Sequence, residues 1–349
     1  MLSYIIKRVL LLPPVLIGVS LLAFLCLATI PGDPATHLAG KYQDPATIER
    51  LRKEFGLDQP LPVQYLRFLE QIVLHQNLGL NRETGEPVSR ELGRRFMATI
   101  ELAMAAMLLA TLLGIRLGVA AARKPGSGAS AGALAVAYGG ISIPIFWLAI
   151  VVVGVLSAWL QWFPTSGRYE WAAATPDTFN QTSIVTGLYL VDTLLAGDAR
   201  AFFRVLHHLA LPAAVLATIP LAIIVRLTRA SMIEELNQDY VRTARAKGLT
   251  DREVVRQHAL PNAAIPILTT TGAQFGYLLS GAVLTETVFS WPGLGSYVVD
   301  ASLAQNTPAL MGGILLMSVV FVLVNLATDV AYAVIDPRVR LGAASGKAD

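Results

Sequence analysis

The sequence holds one cysteine, Cys26, among 349 residues, which excludes an intrachain disulfide and a multi-cysteine metal cluster. Its setting in an apolar run makes it a small filler. Charged residues are only 15% of the chain and the net charge is +3, with no basic stripe of the kind that binds nucleic acid. The five histidines are scattered, and no His-Glu-x-x-His or Gly-x-Ser-x-Gly arrangement occurs, so metallohydrolase and serine-hydrolase chemistry have no residues to carry them. His207 and His208 read as interface residues rather than metal ligands. Gly346 and Lys347 lie too close to Gly342 and are followed by Ala348, so no phosphate-cradling loop is present. The chain is expected to bind no cofactor, and any ATP and Mg it depends on must sit on other chains.

Apolar residues make up 54% of the chain, more than a soluble domain carries. Six runs are long enough to cross a hydrocarbon core of about 30 Å as helices, since lipid offers free backbone groups no partner. They cover 9–30, 99–122, 132–158, 209–228, 263–289 and 309–335. The first follows Lys7 and Arg8 but is too long for a signal-peptide core and lacks a small-residue cleavage site. The expected fold is an all-α integral membrane protein with six transmembrane helices. Lys7, Arg8, Arg123, Lys124, the stretch from 226 to 256, Arg338 and Arg340 share one side, which the positive-inside rule makes cytoplasmic together with both termini.

Outside the membrane, the first long loop contains helix signals. Asp44 and Pro45 read as N-cap and first helical residue of a segment that runs to Phe55 and closes at Gly56. Leu66, Leu69 and Val73 share a face, as do Val88, Leu92 and Phe96, so short amphipathic helices are expected on the outer surface. Trp159, Trp162, Tyr169 and Trp171 in the second outer loop suit an interfacial aromatic belt. Within the spans, Arg116 can snorkel to an inner end. Asp329, one turn after Asn325, reads as a packing or inner-end contact ahead of a coupling-ion site. Gly139, Gly140, Gly276 and Gly281 would let helices approach closely.

The most specific stretch lies between the fourth and fifth spans. Met232, Ile233 and Leu236 carry an apolar face out of the bilayer, and Asn237 and Asp239 offer oxygens to cap a helix over 240–247. Gly248 stops it. Thr250 and Glu253 form a capping box, Leu249 and Val254 a hydrophobic staple, and Pro261 limits the second helix. The expected product is a helix, turn, helix bracket with Arg242, Arg245 and Lys247 at its tip. Charge alone leaves open whether this is a lever or a loop that only fixes topology.

Arg242-Thr243-Ala244, Gly248 and Leu260-Pro261 resemble the EAA loop of binding-protein-dependent importers, with Arg242 and Thr243 in place of the usual Glu and first Ala, and His258 where Ile is usual. The form TARAKGL with HALPN is similar to the dipeptide and oligopeptide permease branch. Pro31-Gly32-Asp33-Pro34, Leu57 to Pro62, Glu286 to Gly295 and Asp336-Pro337-Arg338 also resemble that branch, so the likeness extends over nearly the whole chain. It implies a type I permease core over 95–335, after a first helix and outer loop in 1–94 and before a tail in 336–349. The coupling loop spans 230–262. The resemblance further implies a second homologous permease, two ATPase subunits and an extracytoplasmic solute-binding protein as partners, with the ATPase contact at Tyr240, Arg242, Thr243, Ala244, Arg245, Ala246, Lys247, Gly248, Thr250, Glu253, Leu260 and Pro261. A secondary transporter is the competing class, and it would need intramembrane ionisable residues and broken helices. Dipeptides, oligopeptides, glutathione and metal chelates all remain open as solutes.

Overall fold

The computed structural model describes residues 2–29, 44–54, 56, 58–75, 77–81, 83–169 and 184–335. The motifs at 31–34, Phe55, Leu57, Trp171, Asp336 to Arg338 and Arg340 fall outside these residues, as do the side chains of Lys7, Arg8, Cys26 and Asp329 and the surroundings of Gly281. Among the described residues the regular structure is helical, apart from one isolated bridge between Leu80 and Pro87. In chain order the helices are α1 Leu2–Thr29, α2 Pro45–Glu54, α3 Leu61–Val73, α4 Val88–Arg123, α5 Gly128–Ser142 and α6 Ile145–Val152, the last running into a π-helical segment Val153–Trp159. Next come α7 Tyr189–Leu195, α8 Ala199–Leu236, α9 Asp239–Ala246 and α10 Asp251–Glu253, then a π-helical segment Val254–Ala259 that continues into α11 Leu260–Gly281. The chain closes with α12 Val283–Val288, α13 Leu294–Leu303 and α14 Thr307–Ile335.

Two long helices form the spine. With 38 residues α8 is about 57 Å long, well beyond the bilayer core. It lies parallel to α4, with Gly114 against Ile224 and Gly118 against Thr228. A Cβ on Gly118 would stand 2.5 Å from that of Thr228, so glycine permits this approach. Around the seam, Leu102, Ala106, Ala110, Leu209, Leu216 and Ile224 are buried in one core with Ala263 and Ile267 of α11. α14 closes the far side of α11, where a Cβ on Gly276 would meet Val324 at 2.6 Å. Of the other glycines expected to ease helix approach, Gly140 abuts the Thr218 carbonyl, whereas Gly139 faces open space.

Among the described residues, α4, α8 and Thr307–Ala327 of α14 are the single helices long and apolar enough to cross a membrane. The expected third span is not one straight helix. Ser130–Ser142 and Ile145–Trp159 meet at 104°, because Ile143 is extended (φ −97°, ψ 126°) ahead of Pro144, whose ring disfavours a helical residue before it. The expected fifth span breaks at Ala282, between α11 and α12. Val88, Leu92 and Phe96 do share a buried face, but on the first turns of α4 rather than on a separate surface helix. Ahead of α2, Asp44 stands at the N-cap position, its carbonyl accepting from Ile48 N–H. Trp159 and Trp162 are exposed as an aromatic belt requires, whereas Tyr169 is buried against Ala201 and Val205.

Candidate functional site

The bracket forms where α8 ends. Asn237 does not cap α9; its side-chain amide turns back to donate to Ile233 O at 2.9 Å. Gln238 takes the N-cap position without a side-chain bond, and Asp239 becomes the first helical residue, paired with Arg242 at 3.1 Å. The end of α9 closes as a Schellman motif: Gly248 N–H donates to Arg245 O (2.9 Å) and Leu249 N–H reaches Ala244 O (3.4 Å). This requires φ of +86° at Gly248, a region that a side chain disfavours.

Thr250 then opens α10 with a complete capping box. Its hydroxyl accepts from Glu253 N–H, and its own N–H donates to Glu253 Oε2 at 2.8 Å. The Thr250 hydroxyl also donates to Glu253 Oε2 at 2.6 Å, and these bonds hold the carboxyl below the usual glutamate pKa. Leu249 packs against the buried trio Val241, Ala244 and Val254, so the expected staple is in place. Pro261, by contrast, does not limit the second helix. Leu260 N–H donates to Val255 O, five residues back, and this widened turn takes the chain past a proline that has no N–H. The bracket therefore passes into α11 without a helix end.

The structure thus brings together the residues singled out in this loop. Ala244 faces inward, while Tyr240, Arg242, Thr243, Arg245, Ala246, Lys247 and Gly248 are exposed on the far side. Tyr240 O–H donates to Glu235, Thr243 Oγ1 to Asp239 O at 3.0 Å, and Arg245 lies 3.6 Å from Asp251. The result is a small apolar hinge backing a polar tip, which suits contact with another protein. Among the described residues no group of three or more metal-ligating side chains occurs.

A second polar constellation occupies the opposite end of α8, and sequence reasoning missed it. Glu286 is fully buried and accepts from Thr99 Oγ1 (2.7 Å) and Ser296 N–H (3.0 Å), while Thr99 Oγ1 accepts from Leu294 N–H. Glu101 and Arg168 form a buried pair, with Arg168 Nε donating at 2.7 Å and Leu190 N–H reaching the other carboxylate oxygen at 2.8 Å. The Arg168 guanidinium also donates to Gly187 O and lies over the Tyr189 ring at 3.7 Å. Nearby, Glu91 accepts from Asn81, Thr84 and Tyr297. Carboxylates inside the apolar runs of α4 and 263–289 were the available signal, because a charge in such a run needs partners. His207 and His208 bond the carbonyls of Trp162 and Gly167.

Residues 114–341 match the family model described as binding-protein-dependent transport system inner membrane component, and residues 1–105 match the companion N-terminal model. The dipeptide transport system permease protein DppB of Escherichia coli (strain K12) is 44% identical over 97% of this chain and 99% of its own. The di/tripeptide transport system permease protein DppB of Pseudomonas aeruginosa is 45% identical with the same coverage. The glutathione transport system permease protein GsiC of Escherichia coli (strain CFT073) is 38% identical, again with 97% of this chain covered. Among solved structures, the MetNI methionine ABC transporter in an inward-facing conformation superposes with a TM-score of 0.51 at 15% identity, over 71% of this chain and 97% of that one, a likeness of fold.

Proposed function

This chain belongs to the family of binding-protein-dependent transport system inner membrane components, and on that premise we propose that it moves short peptides, dipeptides first, through a path shared with a second, related permease. It is a multi-pass inner-membrane subunit of an ATP-driven importer, and ATP hydrolysis belongs to separate subunits. ATPase and solute-binding-protein partners follow from the family. Six crossings, both termini on the ATPase side, ATP and Mg on the ATPase chains, and the division at 94 and 335 complete our reading.

The observation that carries the mechanism is the bracket. Its tip is exposed, its back is buried on Val241, Ala244 and Val254, and it joins α8 on one side and α11 on the other. A push on α9 by closing ATPases would therefore pass into two membrane helices rather than be lost in a slack loop. Arg242, Arg245 and Lys247 offer the positive face, and Tyr240 the aromatic one, for the ATPase groove. Because Gly248 alone needs a positive φ here, Gly248→Val costs roughly 1 to 3 kcal/mol locally and re-aims the tip without touching the spans. In a reconstituted complex this variant should assemble with its partner permease yet lose ATP-driven dipeptide uptake. Uptake at the normal rate would return the loop to a topological role, and proton-driven uptake by the chain alone, without ATP, would favour a secondary transporter.

A further inference from the structure

The first outer loop returns to the membrane at α3. Tyr65 is buried there, with its phenol oxygen 2.8 Å from Ser20 Oγ and 3.0 Å from the Ile17 carbonyl oxygen of α1. Phe24 of α1 joins them, its ring centre 5.5 Å from that of Tyr65 and 6.4 Å from that of Phe68. These contacts fix a depth. With Lys7 and Arg8 marking the inner boundary of α1, Ile17 stands about 14 Å above Arg8 along the helix and Phe24 about 24 Å, inside a hydrocarbon core of about 30 Å. A helix that touches α1 between Ile17 and Phe24 is level with the outer leaflet, not above it.

The pattern of α3 suits that place. Gln64, Arg67, Glu70 and Gln71 fall within about a third of the helix circumference, and Tyr65 and Phe68 turn to α1. Between these arcs lies a third, formed by Leu66, Leu69 and Val73 at spacings of three and four. Leu66 is 63% and Val73 70% exposed, so no described residue covers them. On α1, at the same depth, Leu21, Leu22 and Leu25 are exposed as well, a surface that faces lipid once α1 crosses. Resting on the six-crossing reading above, we propose that α3 lies in the outer leaflet, with Leu66, Leu69 and Val73 against acyl chains and Arg67 and Glu70 at headgroup level. The partner of this face is then the bilayer itself. Beyond α3, Asn81 bonds Glu91 of α4 and Asn306, so the leaflet holds the loop at one end and the buried polar cap holds it at the other.

The test uses the whole complex in nanodiscs of phosphatidylethanolamine and phosphatidylglycerol, with its native cysteines replaced, Cys26→Ala in this chain. A nitroxide is attached at single substitutions Leu66→Cys, Val73→Cys and Gln71→Cys on α3 and Leu22→Cys on α1. Power saturation then reads its collisions with oxygen, which concentrates in hydrocarbon, and with a polar nickel chelate, which stays in water. The oxygen-to-nickel ratio at Leu66→Cys and Val73→Cys should match that at Leu22→Cys and exceed that at Gln71→Cys roughly tenfold. A tenfold ratio needs only about 1.4 kcal/mol of exclusion, less than hydrocarbon imposes on polar groups. Nickel-rich collisions at Leu66→Cys and Val73→Cys, with Leu22→Cys still oxygen-rich, would put α3 in water and overturn the proposal while the crossing of α1 stands. Few collisions with either reagent at those two sites would give the face to protein and overturn it equally. Nickel-rich collisions at Leu22→Cys would overturn the crossing of α1 and the proposal with it. The readout needs no transport, so none of these outcomes depends on the solute.

Discussion

The two ends of α8 are built on opposite principles. At the bracket, polar contacts are short in sequence and open to solvent: Thr250 with Glu253, Arg242 with Asp239, Tyr240 with Glu235. At the other end they are buried and distant in sequence: Glu101 holds Arg168, Thr99 holds Glu286, Glu91 holds Tyr297. A solvated contact can be exchanged for one with a partner at little cost, whereas a buried charge cannot lose its partner without a large penalty. The difference suits a tip that must engage and release another protein, opposed by a cap that keeps α4, the start of α7 and the 286–297 region in register.

The comparison breaks most severely at Glu101. Its carboxylate accepts from Arg168 Nε and from Leu190 N–H, and so ties Arg168 and the start of α7 to α4. Glu101→Ala leaves the Arg168 guanidinium buried with the Gly187 carbonyl and the Tyr189 and Trp291 rings but no counter-charge from Glu101, a loss of about 3 to 5 kcal/mol. The variant is expected to accumulate poorly and to unfold at a markedly lower temperature in detergent. Glu101→Ala with Arg168→Met, which removes both charges, should recover much of that loss. Equal melting of wild type and Glu101→Ala would show that the pair holds nothing.

This asymmetry also explains how much the sequence discloses. The capping box, the Gly248 stop and the staple were legible because their parts lie within a few residues of one another. The run of α11 past Pro261 was not, since a π turn is set by packing on both sides rather than by a local signature. The 104° bend had a visible cause in Pro144, but a proline in an apolar run does not by itself declare a break or a kink. Glu101 and Glu286 were present in the apolar runs, yet nothing local names Arg168 or Thr99 as their partners. What the family resemblance added was the order of the distant motifs, among them the 286–295 segment that proves to encircle Glu286.

Glycines sharpen the contrast at an intermediate scale. Gly293 has an ordinary φ of −92°, but a Cβ there would lie 2.2 Å from the Glu286 carboxyl carbon. Gly248 has open space around it and only its φ of +86° to protect. Gly293→Ala should therefore cost about 1 to 3 kcal/mol through overpacking of the buried network. Gly248→Ala should cost about 1 kcal/mol and act on the bracket alone. Thermal unfolding of the two variants, read beside dipeptide uptake, separates them: the first lowers the melting temperature, the second lowers uptake at nearly unchanged melting. The reverse pattern would mean that the stable cap and the adjustable tip have been assigned to the wrong ends.

The smallest effect belongs to the capping box. Thr250→Ala removes the acceptor for Glu253 N–H, and a lost cap of this kind costs about 1 kcal/mol, felt at the first turn of α10 while the π segment and α11 stay folded. The Glu253 side adds a pH dependence whose sign is fixed. Its folded-state pKa lies below the ordinary value of 4.5, so the box contributes stability above that value, and the contribution is lost as pH falls through the folded-state pKa. Hydrogen exchange of the 249–254 amides, compared between wild type and Glu253→Gln across that interval, should show extra opening at acid pH in the wild type only. Glutamine can make the same return bond to Thr250 N–H without titrating, so the difference between the two isolates the carboxylate. If both proteins open alike as pH falls, the charge on Glu253 contributes nothing to the bracket, and the staple of Leu249 on Val254 carries the turn.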